Sequence, residues 1–285
     1  MSPQQAQPVA LCADDYAISP GVDEGILELA ERGRITAFSC LTVSKRWPQA
    51  GTRIAQHFGR IDIGLHFALT QFAPLGAMPR LAPDGRFPAM GRVYAQAFLR
   101  QIETGEIEAE FSRQVDAFTA VTGRVPDFID GHHHVHQLPG VRDAVARASR
   151  KRGWIRNTAT GAGSIVRRGV APLRAAVLAA IGRAARRTWQ DAGIATNSDF
   201  AGVRSFQERE PFGALMRSYL KGARPGLLIM CHPGRPDAEL ARIDTVTATR
   251  ADELAYLSSE EFAADLAAAG CQLVRLSVLT GPTRS

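Results

Sequence analysis

Short apolar runs alternate with amphipathic segments along most of the chain. Apolar runs of a few residues are typical of buried strands, and apolar residues three or four apart are typical of helices. These patterns predict strands at 9–13, 37–43, 62–67, 126–130, 154–156, 226–231 and 272–276. They predict helices at 20–33, 47–58, 106–121, 140–152 and 259–269, with a long loop at 72–90.

This alternation favours a parallel sheet with helices outside it, either a barrel or an open doubly wound sheet. The 285 residues are 45% hydrophobic and 22% charged, which is typical of one globular domain. We expect a disordered tail at 1–8 and a single domain at 9–280. Within that domain, the arginine-rich segment 161–196 is predicted to be a helical insertion or lid.

Polar residues follow several of the predicted strands where each strand ends. They are Asp14, Asp15, His66, Asp130, His132 and His232. The carboxyl ends of strands form the ligand-binding edge in parallel α/β folds. These side chains are therefore expected to meet at one rim.

The residue types at this rim suit metal-assisted hydrolysis. One carboxylate and two imidazoles can hold a divalent ion, Mg²⁺ or Zn²⁺, and leave positions open. We predict Asp15, His66 and His132 as the metal ligands. Asp14 is then available as the base that acts on water, and His232 as the acid that protonates the leaving group.

Four histidines lie within the segment 132–136. If that segment is extended, side-chain alternation places His132, His134 and His136 on one face and His133 on the other. We expect His132 to hold metal, and His134 and His136 to line or support the pocket.

Four motifs resemble those of the YdjC-like carbohydrate deacetylases, which include chitooligosaccharide deacetylases and deacetylases associated with hopanoid biosynthesis. The motifs are Ala13-Asp14-Asp15-Tyr16, Gly64-Leu65-His66-Phe67-Ala68-Leu69-Thr70, Asp130-Gly131-His132-His133-His134-Val135-His136 and Cys231-His232-Pro233-Gly234. The resemblance extends from about Val9 to Leu276.

The resemblance implies a (β/α) barrel related to the polysaccharide deacetylases, with seven strands. It also implies a divalent metal held by Asp15, His66 and His132, with Asp14 as base and His232 as acid. The implied reaction removes an acetyl group from an N-acetylated sugar. The family's first motif usually ends in glycine, where this chain has Ala17.

Other residues are candidates for substrate contact or for orienting the catalytic groups. Asp130 belongs to the histidine motif, and Arg156 follows a predicted strand. Asp199 resembles a family position near the sugar. Arg250 and Glu253 either orient the catalytic groups or form an ordinary surface ion pair.

The net charge of +6 arises largely from one arginine-rich region. Its basic residues are Arg150, Lys151, Arg152, Arg156, Arg167, Arg168, Arg174, Arg183, Arg186 and Arg187. No nucleic-acid motif accompanies them, so we predict no nucleic-acid partner. The segment 165–187 has the composition of an amphipathic surface helix, which favours a peripheral membrane contact, a lipid-linked sugar or a homodimer contact.

The four cysteines are scattered and form no metal-binding pair, which favours a reducing, cytoplasmic setting. Two other functions remain open. A metal-dependent phosphoesterase is disfavoured by the small number of carboxylates. A non-catalytic carbohydrate-binding or metal-storage protein would need neither a base nor an acid.

Overall fold

A curled parallel sheet forms the centre of the protein. The computed structural model describes residues 6–149, 153–205 and 210–280. The strands are β1 (Gln7–Tyr16), β2 (Ala37–Cys40), β3 (Asp62–Phe67), β4 (Phe128–Gly131), β5 (Trp154–Ile155), β6 (Ala195–Thr196), β7 (Asp199–Ala201), β8 (Leu227–Cys231) and β9 (Cys271–Leu273). Their spatial order is β6-β5-β4-β3-β2-β1-β8-β7, and β9 pairs with β1.

Helices follow most of the strands. They are α1 (Pro20–Glu31), α2 (Trp47–Ala50), α3 (Met90–Phe98), α4 (Thr104–Thr122), α5 (Val141–Ala148), α6 (Ala162–Arg168), α7 (Pro172–Asp191), α8 (Phe212–Leu220), α9 (Leu240–Ile243), α10 (Ala248–Ser258), α11 (Glu260–Ala268) and α12 (Leu276–Thr280). Two 3₁₀ helices span Gly51–His57 and His132–Gln137. No helix within the described residues is both long enough and apolar enough to cross a membrane.

The predicted α/β barrel class is confirmed, although eight strands form the main path instead of seven. The two ends of the curled sheet are β6 and β7, which are separated in sequence by only two residues. Asn197 lies between them and is fully buried. Its side chain accepts from the backbone N–H of Asn157 at 2.7 Å and donates to the carbonyl of Asn157 at 2.7 Å. It also donates to the carbonyl of Asp199 at 2.8 Å, so this one amide connects the chain after β5 with the start of β7.

The strand β1 lies at the centre of the core, between β2 and β8. It is buried from Val9 to Tyr16, because both faces of a parallel sheet are covered. It begins at Gln7, so the predicted tail at 1–8 is too long; residues 1–5 lie outside the described part. The predicted strand at 272–276 is also wrong at its end, because Leu276 begins α12.

The arginine-rich segment 161–196 forms α6, α7 and β6. Near its middle, α7 touches the chain after β5: a Cβ atom on Gly182 would lie 2.4 Å from the backbone nitrogen of Ala159. Two side chains that follow β5 donate to carbonyls of α7: Asn157 to that of Gly182 at 2.8 Å, and Thr158 to that of Leu178 at 2.8 Å. These contacts make this part of α7 a wall of the barrel.

Several arginines of the predicted basic region are internal anchors. Arg168 pairs with Asp199 at 2.5 Å. Arg186 donates to the carbonyls of Asn197 at 3.1 Å and Ser198 at 3.0 Å. Much of the local charge therefore holds α6 and α7 on the sheet. Residues 150–152 of the predicted basic region lie outside the described residues.

The close approach at Gly182 generates a stability prediction. Gly182→Ala should lower the free energy of unfolding by about 1–3 kcal/mol, because the added methyl group meets backbone atoms that cannot yield freely. The matched control is Gly163→Ala in α6, where a Cβ would meet nothing within 4 Å. Urea denaturation of both variants measures the difference; equal stability would contradict the tight packing of α7.

Candidate active site and metal centre

A turn at the end of β1 separates two neighbouring carboxylates. Asp15 has φ 72° and Ala17 has φ 76°, both in the left-handed region. The pairing of β1 with β2 shifts register between Ala13 and Tyr16. Ala17 thus occupies a conformation that favours glycine, at a cost of about 1–2 kcal/mol. The side chain of Asp23 holds this turn by accepting from the Ala17 N–H at 2.6 Å.

The three predicted metal ligands lie together, and two of them, Asp15 and His132, line a cavity. Asp15 Oδ1 is 3.2 Å from His66 Nε2 and 3.0 Å from His132 Nδ1, and all three side chains are buried. Ligand atoms about 2.0–2.1 Å from one divalent ion lie about 3.0–3.4 Å apart. The donor types and spacings therefore fit such an ion.

Two further charges orient these ligands. His66 Nδ1 lies 2.7 Å from Asp130 Oδ1, so the opposite nitrogen, Nε2, faces Asp15. Arg250 donates to Asp15 Oδ2 at 2.6 Å and to Asp244 at 2.8 Å, which leaves Asp15 Oδ1 directed at the imidazoles. Partners of this kind fix the orientation of metal ligands in proteins.

The carboxylates around His66 favour its protonated form. Burial alone would lower its pKa, but the charge and hydrogen bond of Asp130 and the hydrogen bond to Asp15 raise the pKa of His66 to about 10. A metal ion must displace this proton, since only neutral imidazole ligates.

Asp14 faces a different cation. Arg156 donates to both of its oxygens, at 2.6 and 2.5 Å, and also contacts Asp130 at 2.6 Å. Burial would raise the pKa of Asp14, but the charge and hydrogen bonds of Arg156 lower it to about 2. A second group of close donors, Cys12, Asp14 and Asp130, already surrounds this guanidinium. Arg156 is thus the cation that these donors surround. Its side chain is fully buried beneath the rim and does not lie on the surface of the rim.

His232 lies across from Asp14, with 3.8 Å between Nε2 and Asp14 Oδ2. Its backbone N–H donates to Glu253 at 2.5 Å, and Glu253 pairs with Arg204 at 3.2 Å. Glu253 and Arg250 are both buried. The alternative of a surface ion pair is therefore wrong: these residues hold the His232 backbone and the Asp15 carboxylate, respectively.

The histidine run is not extended, so the predicted alternation of its side chains is wrong. It forms a 3₁₀-like segment that is kinked at His133 and His134, whose φ of 53° and 57° are left-handed and not helical. His133 therefore lines the cavity beside His132 and lies 2.9 Å from Thr70. His134 also lines the cavity, whereas His136 lies beneath it and stacks on the ring of Trp189.

The cavity above these groups has a volume of about 610 Å³. Its floor includes Asp14, Asp15, His132 and His232, and its walls are largely apolar. The apolar lining residues are Met90, Leu173, Val177, Leu178, Val203, Met230 and Val246. Asp199 is absent from the described lining residues, because Arg168 and Thr160 hold its carboxylate elsewhere.

Several residues of the site do not follow from the sequence patterns. Gln71 lies 2.7 Å from His132 Nε2, and Tyr94 donates to the carbonyl of His133 at 2.7 Å. The four-residue spacing of Val93 and Ala97, both buried, is the signal that could have predicted α3. Gln71 directly follows the motif at 64–70, which is the only signal for it.

Comparisons with known proteins agree over most of the chain. Residues 8–268 match the family model described as YdjC-like protein. A carbohydrate deacetylase of Geobacillus stearothermophilus is 30% identical over 265 residues, covering 92% of this chain and 94% of that protein. A chitooligosaccharide deacetylase of Serratia marcescens is 32% identical over 142 residues, covering 50% of this chain and 55% of that protein.

Two solved structures share the fold. A protein of Enterococcus faecalis named for cellobiose-phosphate cleavage superposes with TM-score 0.77 at 21% identity, covering 97% of this chain and all of that one. A peptidoglycan N-acetylglucosamine deacetylase superposes with TM-score 0.51 at 15% identity, covering 99% and 92%. At these identities the likeness concerns the fold alone.

The buried contact between Arg156 and Asp14 predicts a pH-dependent loss of stability. In the native protein the pKa of Asp14 is lowered to about 2. The stabilisation that its ionised form provides is therefore complete above its unfolded pKa of about 3.9 and is lost as pH falls towards 2. In Arg156→Gln the buried carboxylate has no cation, its pKa rises, and destabilisation grows as pH rises above about 4.

We therefore expect Arg156→Gln to cost about 3–5 kcal/mol at pH 7 and less near pH 4.5. Urea denaturation across this range is the measurement. The control is Arg217→Gln, which removes an arginine paired with Glu261 and Asp265 at the surface and should cost far less stability, because water screens exposed ion pairs. Equal losses at both positions would contradict the role of Arg156.

The raised pKa of His66 predicts proton release when metal binds. At pH 7 the metal-free imidazole carries its extra proton, so loading Zn²⁺ or Mg²⁺ should release about one proton from it. Calorimetric titrations in two buffers of different ionisation enthalpy measure this release. His66→Gln should abolish it, and a heat that is independent of the buffer in the native protein would contradict the expectation.

Proposed function

Because the chain belongs to the YdjC-like protein family, we propose that it is a carbohydrate N-deacetylase that depends on a divalent metal ion. Its reaction would hydrolyse the acetyl amide of an N-acetylated amino sugar to acetate and a free amine. One observation carries this proposal: the candidate base, the candidate acid and two candidate ligands line one cavity, and the third ligand, His66, lies 3.2 Å from Asp15.

The proposed mechanism divides the work between two neighbouring carboxylates. Asp15, with His66 and His132, would hold a divalent ion, which when bound polarises the acetyl carbonyl and lowers the pKa of the attacking water. Asp14 takes the proton from this water, since it is ionised and its contact with Arg156 fixes the position of both oxygens. His232 donates a proton to the amide nitrogen as the carbon–nitrogen bond breaks.

The remaining charged residues hold the proposed catalytic groups in place. Arg156 holds the base, and Asp130 joins Arg156 to His66. Arg250 fixes the second oxygen of Asp15, and Glu253 fixes the loop that carries His232. Together these contacts hold the base and the acid 3.8 Å apart, so that one proton can be taken from water and another delivered to the departing amine within one site.

The cavity supports an amphiphilic substrate, such as a lipid-linked N-acetylated sugar. Its lining includes the proposed base and acid, beside which the acetamido group would react, together with Arg174, Arg204 and Arg250. Leu173 and Val177 of α7 and Met90 of α3 line the same cavity. A sugar alone has little apolar surface to bury against such walls, whereas a sugar joined to a hydrocarbon chain has enough.

The division of roles predicts different outcomes for two variants. Asp14→Asn should retain metal and lose acetate release by a factor of at least about 10², since the base is lost and the ligands remain. His132→Ala should lose both metal and activity. Metal content and acetate release, measured together, test this; His57→Ala, far from the rim, is the control. Full acetate release by His132→Ala would contradict the assigned ligand set.

The apolar walls predict a preference between substrates. Acetate release should be faster from an N-acetylglucosamine carrying a hydrocarbon chain than from short chitooligosaccharides. Leu173→Gln together with Val177→Gln should raise KM for the first substrate and leave KM for the second unchanged. Equal changes for both substrates would contradict the lipid-linked assignment while leaving deacetylation intact. Phosphate release from a sugar phosphate, with no acetate release, would instead identify a phosphoesterase.

A further inference from the structure

Two helices that border the cavity mouth expose large apolar side chains. Leu173 on α7 is 78% exposed and Leu99, directly after α3, is 66% exposed. Met90, Phe98 and Val177 are also exposed. Met90, Leu173 and Val177 line the cavity, so these five residues, here called the entrance face, surround or adjoin its opening. Solvent-exposed apolar patches beside a binding cavity commonly mark an interaction surface.

Phe98 and Leu99 extend this face along α3 and away from the cavity. Phe98 lies four residues after Tyr94 and eight after Met90, both of which line the cavity. Residues spaced by four lie on the same side of a helix. Neither Phe98 nor Leu99 belongs to the described residues that line the cavity, so both can be changed without altering its walls.

The exposed charges on the entrance face are mostly positive. Residues 85–102 contain three arginines, with Asp84 and Glu103 directly outside this range, and residues 161–190 contain six arginines and no acidic residue, of which Arg168 and Arg186 hold α6 and α7 on the sheet. Of these, Arg92, Arg100 and Arg174 are exposed on or next to the two helices.

We propose that the entrance face docks on the surface of a bilayer that contains anionic phospholipids. The apolar side chains would enter the boundary between headgroups and acyl chains, and the arginines would pair with the headgroups. A second copy of this chain fits the face less well. Two such faces would bring Arg92, Arg100 and Arg174 of one copy against the same arginines of the other, and like charges oppose association.

This inference extends the proposed function, because an amphiphilic substrate held in a bilayer would then meet the cavity mouth directly. The two remain separable in experiment. Binding to vesicles requires no turnover, and turnover of a water-soluble N-acetylated sugar requires no vesicle.

The test is co-sedimentation of the full chain with vesicles. One set contains phosphatidylcholine alone, and the other contains about one third phosphatidylglycerol. We expect binding to the anionic vesicles only, weakened by added salt because ions screen exposed charges. Each arginine near such a surface strengthens binding about fivefold. Arg92→Glu combined with Arg100→Glu should therefore weaken binding at least tenfold.

Phe98→Asp combined with Leu99→Asp should also weaken binding at least tenfold. The matched control is Val278→Asp, an exposed apolar residue of α12. That helix lies at the opposite edge of the sheet, since Ser277 bonds Asp62 at the start of β3. Both double variants should keep acetate release from a soluble N-acetylated sugar, which shows that they are folded.

Three results would overturn the docking proposal. The first is native protein that binds anionic vesicles no better than phosphatidylcholine vesicles. The second is native-like vesicle binding by both folded double variants. The third is a native dimer that Phe98→Asp with Leu99→Asp converts to a monomer, which would assign the face to a second copy. Vesicle binding without acetate release from any sugar would overturn the proposed function and leave the docking proposal standing.

Discussion

A buried row of alternating charges holds the rim of the barrel together. Arg156 lies between Asp14 and Asp130, and His66 lies between Asp130 and Asp15. Arg250 completes the row at the second oxygen of Asp15. Each ion removed from water costs several kcal/mol unless an opposite charge and hydrogen bonds compensate it. Because the members of the row come from β1, β3, β4, the end of β5 and α10, they tie five elements to one geometry.

This row also makes two adjacent carboxylates chemically different. Asp14 meets a guanidinium, whereas Asp15 meets two imidazoles and a second guanidinium. The left-handed turn at Asp15 directs the two side chains to these separate partners. The strained backbone at the end of this one strand thus gives two aspartates that are adjacent in sequence two different chemical settings. Strain of this kind persists where surrounding contacts determine the conformation.

Much of the site could be predicted because strand ends are visible in the sequence. The apolar runs before Asp15, His66 and His232 locate the carboxyl edge of the sheet, and polar residues at that edge converge in parallel folds. The conformation of His133 and His134 could not be predicted in this way. Their positive φ depends on packing of the 3₁₀ helix against β4 and α5, and hydrophobic periodicity carries no information about it. The contact between Arg250 and Asp15 could not be predicted for another reason: the two residues are 235 positions apart in the sequence.

The joint at Asn197 has a consequence for the charged row. Between other neighbouring strands a ladder of backbone hydrogen bonds fixes the spacing, whereas among the described residues side chains join β6 and β7, with Asn197 bonding the backbone of Asn157 and Asp199, and Arg168 pairing with Asp199. The seam separates the part of the barrel that carries α7 from the part that carries β8 and His232. Asn157 directly follows Arg156 in the chain. The joint that closes the barrel and the guanidinium that holds Asp14 are therefore adjacent, so a shift at the seam would move the partner of that carboxylate as well.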